Sequence, residues 1–202
     1  MRRNDLMKRE LSRALKELAK THELETISVT QLATECGVSR GTFYNHFLDI
    51  YDLINWTFET DVIVPLQNYI SEHDETWSGI TQQCLEKMYE NRNFYTQAVR
   101  RRGQNSLRDY MRQRNLDSWK MLIAKYMGEN KTFDPDMLDF IERYTSQAVG
   151  NMIIRWAEDG MPIPPQKMAY MDKVATRGIY GLIDEANEIK NTSQKISRPT
   201  IP

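Results

Sequence analysis

Residues 37–47 read GVSRGTFYNHF and place an arginine, a threonine, a tyrosine, an asparagine and a histidine within seven positions, 40–46. These side chains suit recognition by hydrogen bonding rather than reaction. Arg40 offers a two-pronged fork that fits a guanine edge, and Asn45 an amide that reads adenine or bonds phosphate. The hydroxyls of Thr42 and Tyr44 suit phosphate oxygens, which fix register without reading sequence. Gly41 removes a side chain where a backbone must approach closely. Catalytic groupings are missing from the pattern. His22, His46 and His73 form no metal pair at helical spacing, and no glycine-rich phosphate loop or nucleophile elbow occurs. The sequence therefore predicts no enzyme, no cofactor and no metal site.

The elements that must hold these residues follow from apolar spacing. Leu11, Ala14, Leu15, Leu18 and Ala19 repeat at i, i+3, i+4, i+7 and i+8, predicting a first helix from about Asn4 to His22. Val29, Leu32, Ala33 and Cys36 predict a compact second helix, opened by Ser28 and Gln31 as a capping box and ended at Gly37. Ser39 caps a third helix running to about His46, with Val38, Phe43 and Phe47 turned inward. Two short helices joined at Gly37-Val38 make a helix-turn-helix by spacing. Ser39, Arg40, Gly41, Thr42, Tyr44, Asn45 and His46 are its candidate DNA-contacting residues, with Thr30 at the start of the second helix.

The string GVSRGTFYNHF strongly resembles the TetR family of transcriptional regulators. In that family a Gly-Val-Ser turn leads into a Gly-Thr-aromatic-Tyr-x-His-Phe recognition helix, matched here by Gly37, Val38, Ser39, Gly41, Thr42, Phe43, Tyr44, His46 and Phe47. The match covers about residues 8–56. It implies a three-helix DNA-binding domain, here residues 1–48, and a helical dimerisation and effector domain, here 49–190. It departs from the family at Ile50, where a phosphate-contacting lysine often stands; that contact is either missing or supplied by Arg2, Arg3 or Lys8. The stretch around TFYNHF and LINWTFETD further resembles regulators of the DhaS type, which activate dihydroxyacetone-kinase genes with a protein co-activator.

The rest of the chain predicts more helix and no strand, an all-α protein of about nine helices. Asp49 and Asp52 open a fourth helix that reaches about His73 with a kink near Pro65. Further helices are expected at about 76–90, 93–101, 105–126, 135–158 and 166–190, the eighth started by Asp134-Pro135. Residues 191–202 are polar and broken by proline, and are expected to be a disordered tail.

In the family the last two helices of each subunit form the dimer interface. The resemblance therefore implies a homodimer built on Val149, Met152, Met171, Val174, Ala175, Gly178, Ile179 and Leu182. Tyr95, Trp119, Tyr144 and Trp156 are candidate lining residues of an effector pocket. Arg100, Arg101 and Arg102 are read as a solvated face or as partners of the acidic stretch 48–90, which holds nine acidic residues and one basic. That stretch repels DNA phosphate and restricts contact to the N-terminal end. Cys36 and Cys84 read as reduced packing residues, and no apolar run is long enough to span a membrane, which predicts a cytoplasmic protein.

These readings lead to one functional expectation. The chain is a homodimeric repressor of a palindromic double-stranded operator, released by a small-molecule effector or a co-regulator. The alternatives are an activator working with a protein co-activator, and a helical protein-interaction module.

Overall fold

The computed structural model describes residues 3–73, 78–128 and 134–196, and every regular element among them is helical. Helix α1 spans Arg3–Leu18 and buries Leu11, Ala14 and Leu15. A 3-10 turn at Leu24–Thr26 leads to α2, Val29–Glu35. The Ser28 hydroxyl accepts the Gln31 N–H at 3.1 Å, satisfying one of the amides a helix start leaves open. At the other end Val38 N–H bonds Ala33 O at 2.9 Å and Gly37 N–H bonds Thr34 O at 3.0 Å. That bond pair is a Schellman closure, and it needs a left-handed residue between helix and exit, supplied by Gly37 at φ +64°.

Helix α3 is only Arg40–Tyr44, two residues shorter than expected. Helix α4, Ile50–Phe58, starts on Asp49, whose carboxylate accepts the Asp52 N–H at 2.8 Å, while Asp52 accepts the Leu48 N–H at 3.0 Å. It continues through a π-helical turn, Glu59–Ile63, into α5, Val64–Glu72. The expected kink near Pro65 takes this form. Proline lacks an N–H and its ring presses on the carbonyl four residues back, and a widened turn just before it absorbs the misfit. Taken as one rod, α4 to α5 brings the described helices to nine.

The remaining helices are α6 (Ser78–Glu90), α7 (Arg92–Arg100), α8 (Leu107–Met127), α9 (Pro135–Glu158) and α10 (Pro165–Ile196). Asp134 caps α9 through two N–H groups, as the Asp-Pro signal predicts. Residues 191–196 of the expected tail continue α10, since no proline interrupts the chain between Pro165 and Pro199; residues 197–202 lie outside the described residues.

One apolar core runs from Leu11, Leu32, Phe43 and Phe47 through Leu53, Ile54 and Phe58 to Tyr95, Trp119 and Ile154. Helix α4 is the element common to both ends. The buried Thr57 hydroxyl bonds Ser12 on α1 at 2.9 Å, and Asp61 in the π turn receives both Lys16 from α1 and the Tyr95 hydroxyl from α7, each at 2.9 Å. Burial and the Asp61 carboxylate push the Tyr95 phenol well above its ordinary pKa, so it remains a neutral donor. Gln97 on α7 adds a second tie, accepting the Leu24 N–H at 2.6 Å and donating to Ala19 O at 3.1 Å.

Candidate nucleic-acid interface and C-terminal cavity

A five-residue helix has too few internal hydrogen bonds to hold itself. Here α3 is held from outside. Phe43 is fully buried and Phe47 nearly so, and their rings meet at 5.9 Å. Ser39 caps the helix by accepting the Thr42 N–H at 3.1 Å, and the two hydroxyls pair at 3.0 Å. With the inner side fixed, Ser39, Arg40, Gly41, Tyr44 and Asn45 are exposed, and Thr30 is exposed at the start of α2. Thr42 and His46 are half-buried, as is Val38. All the candidate DNA-contacting residues except Thr30 therefore fall in one short segment, 39–46, and His46 contributes only an edge.

Two further side chains lie beside α3. Leu48, 84% exposed, stands beside the reading segment at the turn into α4. Lys8 on α1 carries its ammonium 5.2 Å from the Phe47 ring and 5.8 Å from the Trp56 ring. Ile50, where the family often has a lysine, instead packs against the core. Lys8 thus sets a positive charge at the α3–α4 corner, stabilised on aromatic faces. Arg2 lies outside the described residues, as does the Arg3 side chain.

The C-terminal helices sort the expected interface and pocket residues differently. On α9 and α10, Met152, Met171, Val174, Ala175 and Gly178 are exposed. Val149 and Ile179 are buried within the protomer, and the Leu182 side chain lies outside the described residues. Met137, Phe140 and Tyr144 on α9 and Tyr170 on α10 are exposed as well, with Phe140 and Tyr144 stacked at 5.9 Å. A 24-residue helix can carry two apolar stripes, one for its own core and one facing out.

None of the four expected pocket aromatics lines the apolar cavity bordered by the described residues. Tyr95, Trp119 and Trp156 pack as core, Trp156 donating to Ile163 O at 2.8 Å, and Tyr144 lies on the outer face of α9. An apolar cavity in this domain is lined by Phe58, Val62, Leu85, Met88, Asn115 and Asp172, among others, and leaves about 60 Å3 of free space. Tyr95, Trp119 and Trp156 fill the core, and Phe58 with mainly aliphatic and sulfur side chains borders the space. Cys84 also lines it, with burial pushing its thiol up to about 12, so it is an inert packing group.

Of the arginine cluster, Arg100 and Arg102 are exposed, as a solvated face requires, and both also reach the end of α9. Arg100 donates to the Glu158 carbonyl at 2.8 Å, and Arg102 pairs with the Glu158 carboxylate at 2.9 Å, joined there by Arg108. These cations close the C-terminal end of α9, where carbonyls lack partners and the helix dipole is negative. Arg101 lies 4.4 Å over the Tyr51 ring on α4. Arg114 pairs with Glu59 of the acidic stretch at 2.6 Å.

A family model described as "Transcriptional regulator C-terminal region", of TetR type, matches residues 75–178, just over half of the chain. The chain belongs to the TetR family of transcriptional regulators. The matched region is the helical part beyond the helix-turn-helix, so it adds to the resemblance carried by residues 8–56. The chain is also similar to the "HTH-type dhaKLM operon transcriptional activator DhaS" of Lactococcus lactis subsp. lactis (strain IL1403), 28% identical over 95 residues, 47% of this chain and 50% of that protein. The alignment thus spans about half the length of that curated relative. Among solved structures, "Dihydroxyacetone kinase operon activator DhaS" superposes with a TM-score of 0.64 at 20% identity, covering 90% of this chain and 96% of that one. NalD, "the secondary repressor of MexAB-OprM multidrug efflux pump in Pseudomonas aeruginosa", superposes at 0.56 with 17% identity over 87% and 95% of the two chains. The TetR-like all-α fold is common to all three, and no helix among the described residues is long and apolar enough to cross a membrane.

Proposed function

We propose that two copies of this chain bind one palindromic double-stranded DNA operator, with α3 of each copy in a major groove. A major groove admits one helix, and a two-fold dimer matches half-sites one helical turn apart or a multiple of it. The observation that carries the reading is α3 itself: a helix too short to stand alone, anchored by Phe43 and Phe47, with Arg40, Tyr44 and Asn45 left outside. Residues 1–48 act as the reading head. Arg40 and Asn45 read base edges, while Thr30, Ser39, Thr42, Tyr44 and Lys8 engage phosphate, with Gly41 permitting close approach and His46 at the edge. Met152, Met171, Val174, Ala175 and Gly178 form the two-fold contact, which covers the outward apolar face of α9 and α10.

The dimer represses in the cytoplasm by occupying its operator, and an effector in the C-terminal domain of residues 49–190 releases it. Helix α4 transmits the change, because its π turn is tied to α1 by Lys16–Asp61 and to α7 by Tyr95. Binding and release need no catalytic step or cofactor. A second reading, activation together with a protein co-activator, is favoured by the sequence similarity to DhaS. Transcription reconstituted with the operator-bearing promoter separates the two: added protein lowers transcript under the first reading and raises it under the second. Binding of one protomer, rather than two, per operator would sink both.

A further inference from the structure

Several carboxylates of the C-terminal part are drawn inward beside cationic partners. Asp61 is paired with Lys16 at 2.9 Å, and Glu59 with Arg114 at 2.6 Å. Asp172 on α10 is different. It is 3% exposed, it lines the apolar cavity, and its Oδ1 is buried without a hydrogen-bond partner among the described residues. No lysine or arginine among the described residues lines the same cavity. An isolated carboxylate in such surroundings is costly unless a cation or donor reaches it. Polar atoms left in this state inside a cavity mark a place where a ligand supplies the missing partner.

We propose that this cavity binds a small organic monocation, an alkylammonium whose N–H groups donate to the Asp172 carboxylate while its tail lies against Phe58, Val62, Leu85 and Met88. The free space of about 60 Å3 accommodates roughly four to six water-sized groups, which sets the ligand's size. Anions are excluded by repulsion from Asp172, and neutral molecules of the same shape leave the carboxylate unneutralised. The inference rests on the reading of the C-terminal domain as the regulatory part of a DNA-binding dimer. Asp172 supports that link by its place on α10, since its neighbours Met171 and Val174 point outward on the face assigned to the partner copy. A cation seated at Asp172 acts on the helix that carries the interface.

The test is calorimetric titration of the full chain without DNA, using n-butylammonium, butan-1-ol and butyrate as probes of one shape and three charges. Saturable binding of butylammonium is expected at low-millimolar concentration, at least about tenfold tighter than butan-1-ol, with butyrate weakest. Asp172→Asn should abolish that preference. The alcohol comparison needs no variant and so stands even where the substitution disturbs folding. Equal binding of alcohol and ammonium, no saturation by ammonium, or a preference retained in Asp172→Asn would each overturn the proposal. Because no DNA is present, such a failure leaves the operator-binding reading untouched, and a missing operator leaves this titration interpretable.

Discussion

Asp172→Asn should change how the stability of this protein depends on pH, and the size of the change follows from its burial. Desolvation alone raises the Asp172 carboxyl from its ordinary 3.8 to about 6. Below 3.8 the group is protonated in both folded and unfolded chains, and burial carries no charge penalty. Between 3.8 and 6 the unfolded chain releases a proton that the folded chain keeps, so stability falls as pH rises. Above 6 the full penalty is present, about 3 kcal/mol for a shift of this size. Asparagine has nearly the same shape and does not titrate. The stability difference between variant and wild type should therefore move in favour of the variant by about 2–3 kcal/mol between pH 4 and pH 8. Urea midpoints measured at matched protein concentration across this range give that difference directly. Parallel curves for the two proteins would show that Asp172 is solvated or paired in solution, and the reasoning about the cavity would fail with it.

Other outcomes follow from the same geometry. Arg40→Ala or Asn45→Ala should each lose about 1–3 kcal/mol of discrimination between the operator and a site altered at the contacted base, measured by competition binding; unchanged specificity would remove that residue from base readout. Tyr44→Phe should weaken binding to all DNA sequences alike, because its hydroxyl is assigned to phosphate. Val174→Glu places a charge on the face assigned to the partner copy, and sedimentation at micromolar concentration should show monomers; an unchanged dimer would move the interface elsewhere. Gln97→Ala strips the partners from Leu24 N–H and Ala19 O and should cost about 1–3 kcal/mol of stability, read from denaturant midpoints.

Where local rules decide conformation, the sequence was legible. Ser28, Ser39, Asp49 and Asp134 each cap the helix they were expected to start, and Gly37 supplies the left-handed turn between α2 and α3. The inner and outer sides of the reading head follow from Phe43 and Phe47 being four residues apart. Long-range choices were not legible. Periodicity marks Tyr95, Trp119 and Trp156 as inward but cannot say whether they fill the core or border a space. Arg100 and Arg102 found the end of α9, more than fifty positions away in sequence, which no spacing rule encodes. Pro65 announces a distortion without specifying a π turn. Asp172 did leave a readable trace. It shares the inward stripe of Met168, Ala169 and Thr176, all buried, and an acid within such a stripe is a signal that tracking apolar residues alone passes over.

The central claim is that α3 reads DNA as one half of a symmetric pair. Selection of bound fragments from a random-sequence DNA pool, followed by a salt titration on the enriched site, tests it most directly. A palindrome should emerge, with log affinity falling against log salt at a slope of about −0.9 for each phosphate neutralised, and with Lys8→Met reducing that slope by about one unit. No enriched sequence, with binding that stays weak at low salt, would contradict the account and assign α3 to a protein partner.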